Sequence, residues 1–205
     1  QFSDTHSCST SYIVYQLIEA LAGTDAIDQA MAEALYVGIM TDTGNFSFSN
    51  LTSDLFRAVA VLIDRGVNVP YVNSSVYDNF SEGRMRLLGY MLNDKMVTDY
   101  RYGVAYVSLT EEEMRRFNFI QGDSEGFVNY PLSIRGIRMS AMFIQTKHSI
   151  RVSLRSRGSD VDVNVFARRY FDGGGHRNAA GGKSYVSMDE TLKNFHTYLK
   201  EYFGA

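Results

Sequence analysis

The sequence predicts an α/β chain: a mainly helical first part, a linking helix, and then an α+β part built on a mixed sheet. Three observations carry this expectation. Apolar residues recur at three- and four-residue spacing up to about residue 93, the apolar period then shortens to strand-like runs, and a glycine cluster near residue 173 is followed by a last amphipathic stretch.

The elements follow in order. Ile13, Val14, Leu17, Ile18 and Leu21 share one side of a helix from Ser9 that Gly23 stops. Thr24 is suited to cap a second helix reaching about Met40, and Thr52 a third through Ile63 closed by Gly66, with a short fourth over 70–78. Residues 81–93 read as a connecting helix with Met85, Leu88 and Leu92 inward and Arg84 and Arg86 exposed. Domain limits of 1–78, 79–93 and 94–205 follow.

Beyond the connector, Met96 to Tyr100 and Val104 to Leu109 are strand-like runs joined by Arg101-Tyr102-Gly103. Thr110 with Glu113 forms a capping box that opens a short helix. Ile137 to Gln145 and Ser149 to Leu154 predict two further strands, and a helix near 161–171 precedes the glycines. A strand near 183–187 and a helix near 189–203, with Leu192, Phe195, Leu199 and Phe203 inward, complete the chain.

Composition narrows the function classes. At 45% apolar residues the chain carries enough material for a core. One cysteine, Cys8, excludes an internal disulfide framework and no Cys/His group has zinc-site spacing, which points to a reducing, cytoplasmic setting. The longest purely apolar run, Ala58 to Ile63, is far below the roughly 20 residues of a membrane-spanning helix. The chain opens at Gln1 without an initiator methionine or a signal segment, so an upstream segment is expected. Residues 131–183 hold ten Arg and Lys against three Asp, a local charge of +7 in a chain of net −3, as suits a polyanionic ligand or, equally, a solvated basic face.

Three segments carry candidate chemistry. In Leu35 to Phe46 an apolar run ends in Asp42, flanked by Thr41, Thr43 and Gly44, and a carboxylate on a packed mount suits a hard divalent cation as well as a helix-end turn. Val152 to Gly158 alternates, so Ser153, Arg155 and Arg157 share a face, offering guanidinium forks to phosphate or to solvent. Asp172 to Gly182 contains Gly173-Gly174-Gly175-His176-Arg177-Asn178, either a plain glycine turn or a cradle whose N–H groups surround an anion. Gly182-Lys183-Ser184 is no phosphate loop, because the glycine required five positions before Gly182 is Arg177, and the glycine run lacks the dinucleotide spacing.

Taken together, Gly173-Gly174-Gly175-His176 with Ala179-Ala180-Gly181 resembles the signature of the DHHA1 domain, with Val152 to Gly158 similar to the strand before it. Thr41-Asp42-Thr43-Gly44-Asn45-Phe46 resembles the last metal motif of the DHH domain. Ser9-Thr10-Ser11 resembles the start of the helix after that family's Asp-His-His triplet, and Glu125 to Leu132 also has the family's look. The resemblance covers essentially the whole chain. It implies the C-terminal, mainly helical part of a DHH domain, a linker helix, and an α+β DHHA1 domain that grips substrate across a cleft.

What the resemblance further implies is a manganese-dependent phosphoesterase with two Mn²⁺ ions. Asp42 matches one metal ligand, and Arg155, Gly174, Gly175 and His176 match substrate-holding positions, with Asn178 assisting. No Asp-His-His triplet occurs in the chain, and His6, between Thr5 and Ser7, does not supply one, so no catalytic residue is assigned within it and the chain alone is expected to be inactive. Expected substrates are short oligoribonucleotides or 3′-phosphoadenosine 5′-phosphate, with cyclic di-adenylate or its linear product as the alternative and polyphosphate a weaker third. A non-catalytic nucleic-acid-binding module using exposed Tyr170 and Phe171 is the other class. The expected partners are a short RNA or nucleotide and no membrane, with a homodimer left open.

Overall fold

The structure is a computed structural model that describes residues 7–47 and 51–204, so His6 lies outside the described residues. The chain divides into two compact units, Gln1–Asn79 and Phe80–Ala205.

The first unit is helical: α1 (Thr10–Ala22), a 3-10 turn (Thr24–Ala26), α2 (Gln29–Asp42), α3 (Ser53–Asp64) and α4 (Val69–Tyr77). Each α-helix begins on a side chain that accepts a backbone N–H: Ser9 from Ser11, Asp28 from Met31, Thr52 from Leu55 and Asn68 from Tyr71. Thr24 caps no α-helix; the second helix begins at Asp28, because residues 24–26 close a tight turn first. Ile39, Met40, Leu55 and Leu62 are fully buried in the core.

The inward face of α1 differs from the periodicity. Tyr15 is buried, whereas Leu17 is 56% and Leu21 78% exposed. A Cβ on Gly38 would overlap the Ser11 side chain, so α1 and α2 touch backbone to small side chain there. That contact turns the Ser11, Tyr15 and Ile18 line toward the core and Leu17 and Leu21 away from it.

The second unit opens with α5 (Glu82–Tyr90) and a π turn (Met91–Lys95), continues through β1 (Val97–Asp99), β2 (Val104–Leu109), α6 (Glu111–Arg116) and a 3-10 segment (Phe127–Ser133), then β3 (Met139–Gln145) and β4 (Ile150–Ser156). It ends with α7 (Val163–Tyr170), β5 (Gly174–His176), β6 (Ala179–Ser184) and α8 (Met188–Phe203). The six strands form one mixed sheet in the order β1-β2-β3-β4-β6-β5, parallel only between β2 and β3. One face packs on α7 and α8 through Phe143, Leu154, Phe166 and Phe195. The other packs on α5, α6 and the 3-10 segment through Val107, Met142, Leu87 and Phe127.

Helix α5 is core-bearing within this unit, and its buried line, Arg84, Leu87 and Leu88, continues into Met91 of the π turn. Met85, expected inside, is 52% exposed and Arg84, expected outside, is 7% exposed. The guanidinium explains the reversal. It donates to the carbonyls of Asp123 and Glu125 and lies 4.1 Å from the Phe80 ring centre and 4.8 Å from that of Phe127. Replacing Arg84 with Met strands both carbonyls under the same apolar bulk, so Arg84→Met is expected to lower unfolding stability by about 2–4 kcal/mol. An unchanged urea midpoint would show that the clamp holds nothing.

The expected capping box is present, with Glu113 accepting from the Thr110 N–H at 2.8 Å. Burial works to raise the Glu113 pKa, but hydrogen bonds from Lys95, the Thr110 N–H and the Tyr90 hydroxyl outweigh it and hold the carboxyl at about 2. Because the folded pKa is depressed below the ordinary 4.5, the stabilisation is present above pH 4.5 and is lost as pH falls toward 2. Allowing for screening, Glu113→Gln is expected to remove about 1–2 kcal/mol at neutral pH and little at pH 2, read as flattening of the acid side of a stability–pH curve.

Candidate functional site

In the first unit the last residue of α2 is Asp42, and the chain then turns through Gly44, Asn45 and Phe46, all with φ between +55° and +59°. Such a run is costly for the Asn and Phe and is held by specific contacts. The buried Thr43 hydroxyl donates to the Ile39 carbonyl at 2.7 Å and accepts from the Phe46 N–H at 3.1 Å. The Phe46 ring packs between Tyr36 and Phe56, 6.2 and 5.6 Å away. The result is an exposed Asp42 carboxylate with one oxygen fixed by the Ser9 hydroxyl at 2.9 Å. Among the described residues no group of three or more His, Cys, Asp and Glu could hold a metal ion, so Asp42 alone does not make a metal site.

In the second unit the strand register collects the other candidates on one sheet face. Arg155 pairs with Ala179, and Ala179 with His176; two residues along, Ser153 pairs with Gly181, and Gly181 with Gly174. Directly paired residues point the same way, so Arg155, Ser153 and His176 stand over a floor of Ala179, Gly181 and Gly174. Arg157 falls beyond β4, its N–H donating to the Arg138 carbonyl, and so leaves the set.

Arg155 is half-buried, and that burial pushes its guanidinium pKa down from the usual arginine value. Its only hydrogen bond among the described residues is from Nη1 to the Leu154 carbonyl at 3.0 Å, and no carboxylate lies within ion-pairing reach. A half-buried guanidinium with donors to spare has the chemistry to receive an anion. Among the described residues, only Arg169 of the ten basic residues in 131–183 forms an ion pair with an acid, Glu201 at 3.8 Å. His176 is exposed and has no hydrogen-bond partner among the described residues.

Gly174 and Gly175 lie in strand β5 with Gly173 just before it, contrary to the reading of the cluster as a loop. A Cβ on Gly173 would overlap the Gly181 carbonyl, one on Gly175 (φ +153°) would stand 2.5 Å from the Ala179 oxygen, and one on Gly182 2.5 Å from the Phe171 oxygen. Close approach of backbones therefore requires these glycines. Gly174 is different, its nearest neighbour being 3.5 Å away. Nor is the Gly175 N–H open to an anion, since it donates to Asn164 Oδ1 at 2.9 Å, an oxygen that also accepts from Arg168 Nε at 3.1 Å.

The roles of Asn164 and Arg168 emerge only in the structure, although their i,i+4 spacing after the Asp162 cap is visible in the sequence. Asn178 also has a positioning place: its amide donates to the Ser156 hydroxyl at 2.9 Å and the Gly158 carbonyl at 2.8 Å, fixing the turn after β4. Phe171, expected to be exposed for base stacking, is 3% exposed in the core, and Tyr170 is half-buried against Tyr198, ring centres 4.4 Å apart.

Among the described residues no helix is long and apolar enough to cross a membrane. Residues 99–205 match the DHHA1 domain family. The chain is 28% identical to the bifunctional oligoribonuclease and PAP phosphatase NrnA of Bacillus subtilis over 97% of its length and 63% of that protein. It is 26% identical to the cyclic-di-AMP phosphodiesterase GdpP of Bacillus subtilis over 98% of its length and 30% of that protein. It superposes with a TM-score of 0.94 and 38% identity on an exopolyphosphatase-related protein from Bacteroides fragilis, covering 98% of this chain and 58% of that one. The chain thus spans less than two thirds of the length of each of these relatives. With the β4–β6–β5 face and the family match on the same residues, the chain belongs to the DHHA1 domain family.

Proposed function

We propose that this chain is the substrate-gripping part of a cytoplasmic, manganese-dependent phosphoesterase that hydrolyses short oligoribonucleotides and 3′-phosphoadenosine 5′-phosphate. The carrying observation is the half-buried, unneutralised Arg155 beside exposed His176 over a floor of Ala and Gly. Similarity to an oligoribonuclease and PAP phosphatase over nearly the whole chain supports the substrate class.

The chain's own residues bind and orient. Arg155 donates its fork to a phosphate, His176 adds a donor or a stacking face, and the small floor lets a sugar or base approach the strands. Asn164 and Arg168 keep β5 in register, and Asn178 keeps the turn after β4 in place. Asp42, braced by Ser9, offers one carboxylate oxygen to a cation whose other ligands are not among the described residues. Bound metal would supply an activated water and charge neutralisation at the phosphate.

Two assays test this. Whole protein with Mn²⁺ should release mononucleotides from a diribonucleotide and phosphate from 3′-phosphoadenosine 5′-phosphate; preference for cyclic di-adenylate would favour the GdpP-like alternative instead. Residues 1–205 alone should bind the dinucleotide without cleaving it. Cleavage by that chain would overturn the assignment of an incomplete metal site.

A further inference from the structure

A second feature of the β4 face lies at its other end. Arg151 shares the face and strand of Arg155 and Ser153, being opposite Lys183 of β6 and Ile144 of β3. The two arginines lie four positions apart, or about 13 Å along an extended strand. Between them lie only Ser153 on β4 and Gly181 on β6, so no bulky side chain from these two strands rises from the face.

Arg151 opens onto a cavity of about 440 Å³. Its apolar wall is Met114, Phe119 and Ile144, and its rim carries Arg115, Gln121 and Gln145, with Glu111 the one acid among the lining residues. The cavity is held in shape. Arg84 clamps the carbonyls of Asp123 and Glu125, the Asp123 carboxylate accepts the Ile120 N–H at 2.9 Å, and the Gln145 amide oxygen accepts the Glu111 N–H at 3.3 Å. Arg151 donates to the buried Ser124 hydroxyl at 3.0 Å and pairs with no acid among the described residues. Arg151, exposed on β4, is thereby tied to the loop whose outer surface is this wall.

We infer that this cavity is a distal nucleotide subsite, which takes a base of the same oligoribonucleotide whose phosphate is held at Arg155. Arg151 meets an intervening phosphate, and the base lies against Phe119 and Met114 with its polar edge toward Gln121 and Gln145. The inference rests on the reading of the Arg155 face as a nucleotide site. It adds that chain length is sensed along β4, so that a pentanucleotide gains contacts that a dinucleotide cannot reach.

Binding of labelled di- and pentaribonucleotides to the 205-residue chain, followed by fluorescence anisotropy without added metal, tests both. The pentanucleotide should bind about tenfold more tightly, the gain from one charge-assisted contact. Arg151→Ala should remove that advantage, leave the dinucleotide within about twofold, and reduce the slope of log affinity against log salt for the pentanucleotide by about 0.7. Arg115→Glu, at an exposed rim position where misfolding is not at issue, should also remove it. Survival of the advantage in both variants, or equal binding of the two oligomers to the unaltered chain, overturns the subsite and leaves the Arg155 site standing. Failure of the unaltered chain to bind either oligomer overturns both.

Discussion

A chain carrying Arg155→Ala and His176→Ala is expected to lose at least about a hundredfold in affinity for a short oligoribonucleotide, the loss for two contacts of which one is charge-assisted. Neither side chain contributes a cross-strand hydrogen bond: Arg155 donates only to its neighbour's carbonyl and His176 to nothing among the described residues. The thermal midpoint should therefore move little, and the far-ultraviolet circular dichroism should not change. Equal binding by the double variant and the unaltered chain would remove the proposed ligand site. Parallel loss of binding and of the folded baseline would mean that Arg155 serves the sheet instead.

The second large effect separates the two uses of glycine in one tripeptide. Gly173→Ala drives a methyl into the Gly181 carbonyl and to within 2.6 Å of the Gly182 Cα, and both obstacles are backbone of a paired strand. β5 cannot stay in register against β6, so we expect a loss of about 3 kcal/mol or more, measured by chemical denaturation. Gly174→Ala meets its nearest atom at 3.5 Å, ordinary contact, and should cost less than about 1 kcal/mol. Its added methyl would lie against Asn164 and Arg168 of α7 and away from Arg155, so both the fold and nucleotide binding should survive. Gly173→Ala as stable as the unaltered chain would refute the close-packing account. Gly174→Ala as destabilising as Gly173→Ala would show that β5 has no room for a methyl on its α7 side either.

Local rules found much of this protein in its sequence. Ser9 and Thr52 cap where hydroxyls precede apolar periodicity, and Thr110 with Glu113 closes its box, because each is settled by bonds within three residues. Alternation along Val152 to Leu154 correctly separates the core from the Arg155 face, since a strand has period two whatever surrounds it. Charge counting likewise located the basic half without coordinates.

Other features depend on partners distant in sequence. The Asp42 carboxylate is braced by Ser9, 33 residues away, and Arg84 is buried because Asp123 and Glu125, about 40 residues on, offer carbonyls. Glycine is a poor strand former, so nothing local announces β5; it exists because β6 accepts its backbone closely and Asn164 pins Gly175. The sequence by itself determined the helical and α+β parts, most of the caps and the basic half that carries Arg155 and His176. Only the tertiary structure decided that the glycines are a packed strand, that Asn178 positions, and that Arg84 shapes a cavity at the far end of β4. The physical reason is range: propensity and periodicity act over a turn or a pleat, whereas burial of a charge or overlap of a Cβ is set by whichever segment folds against it.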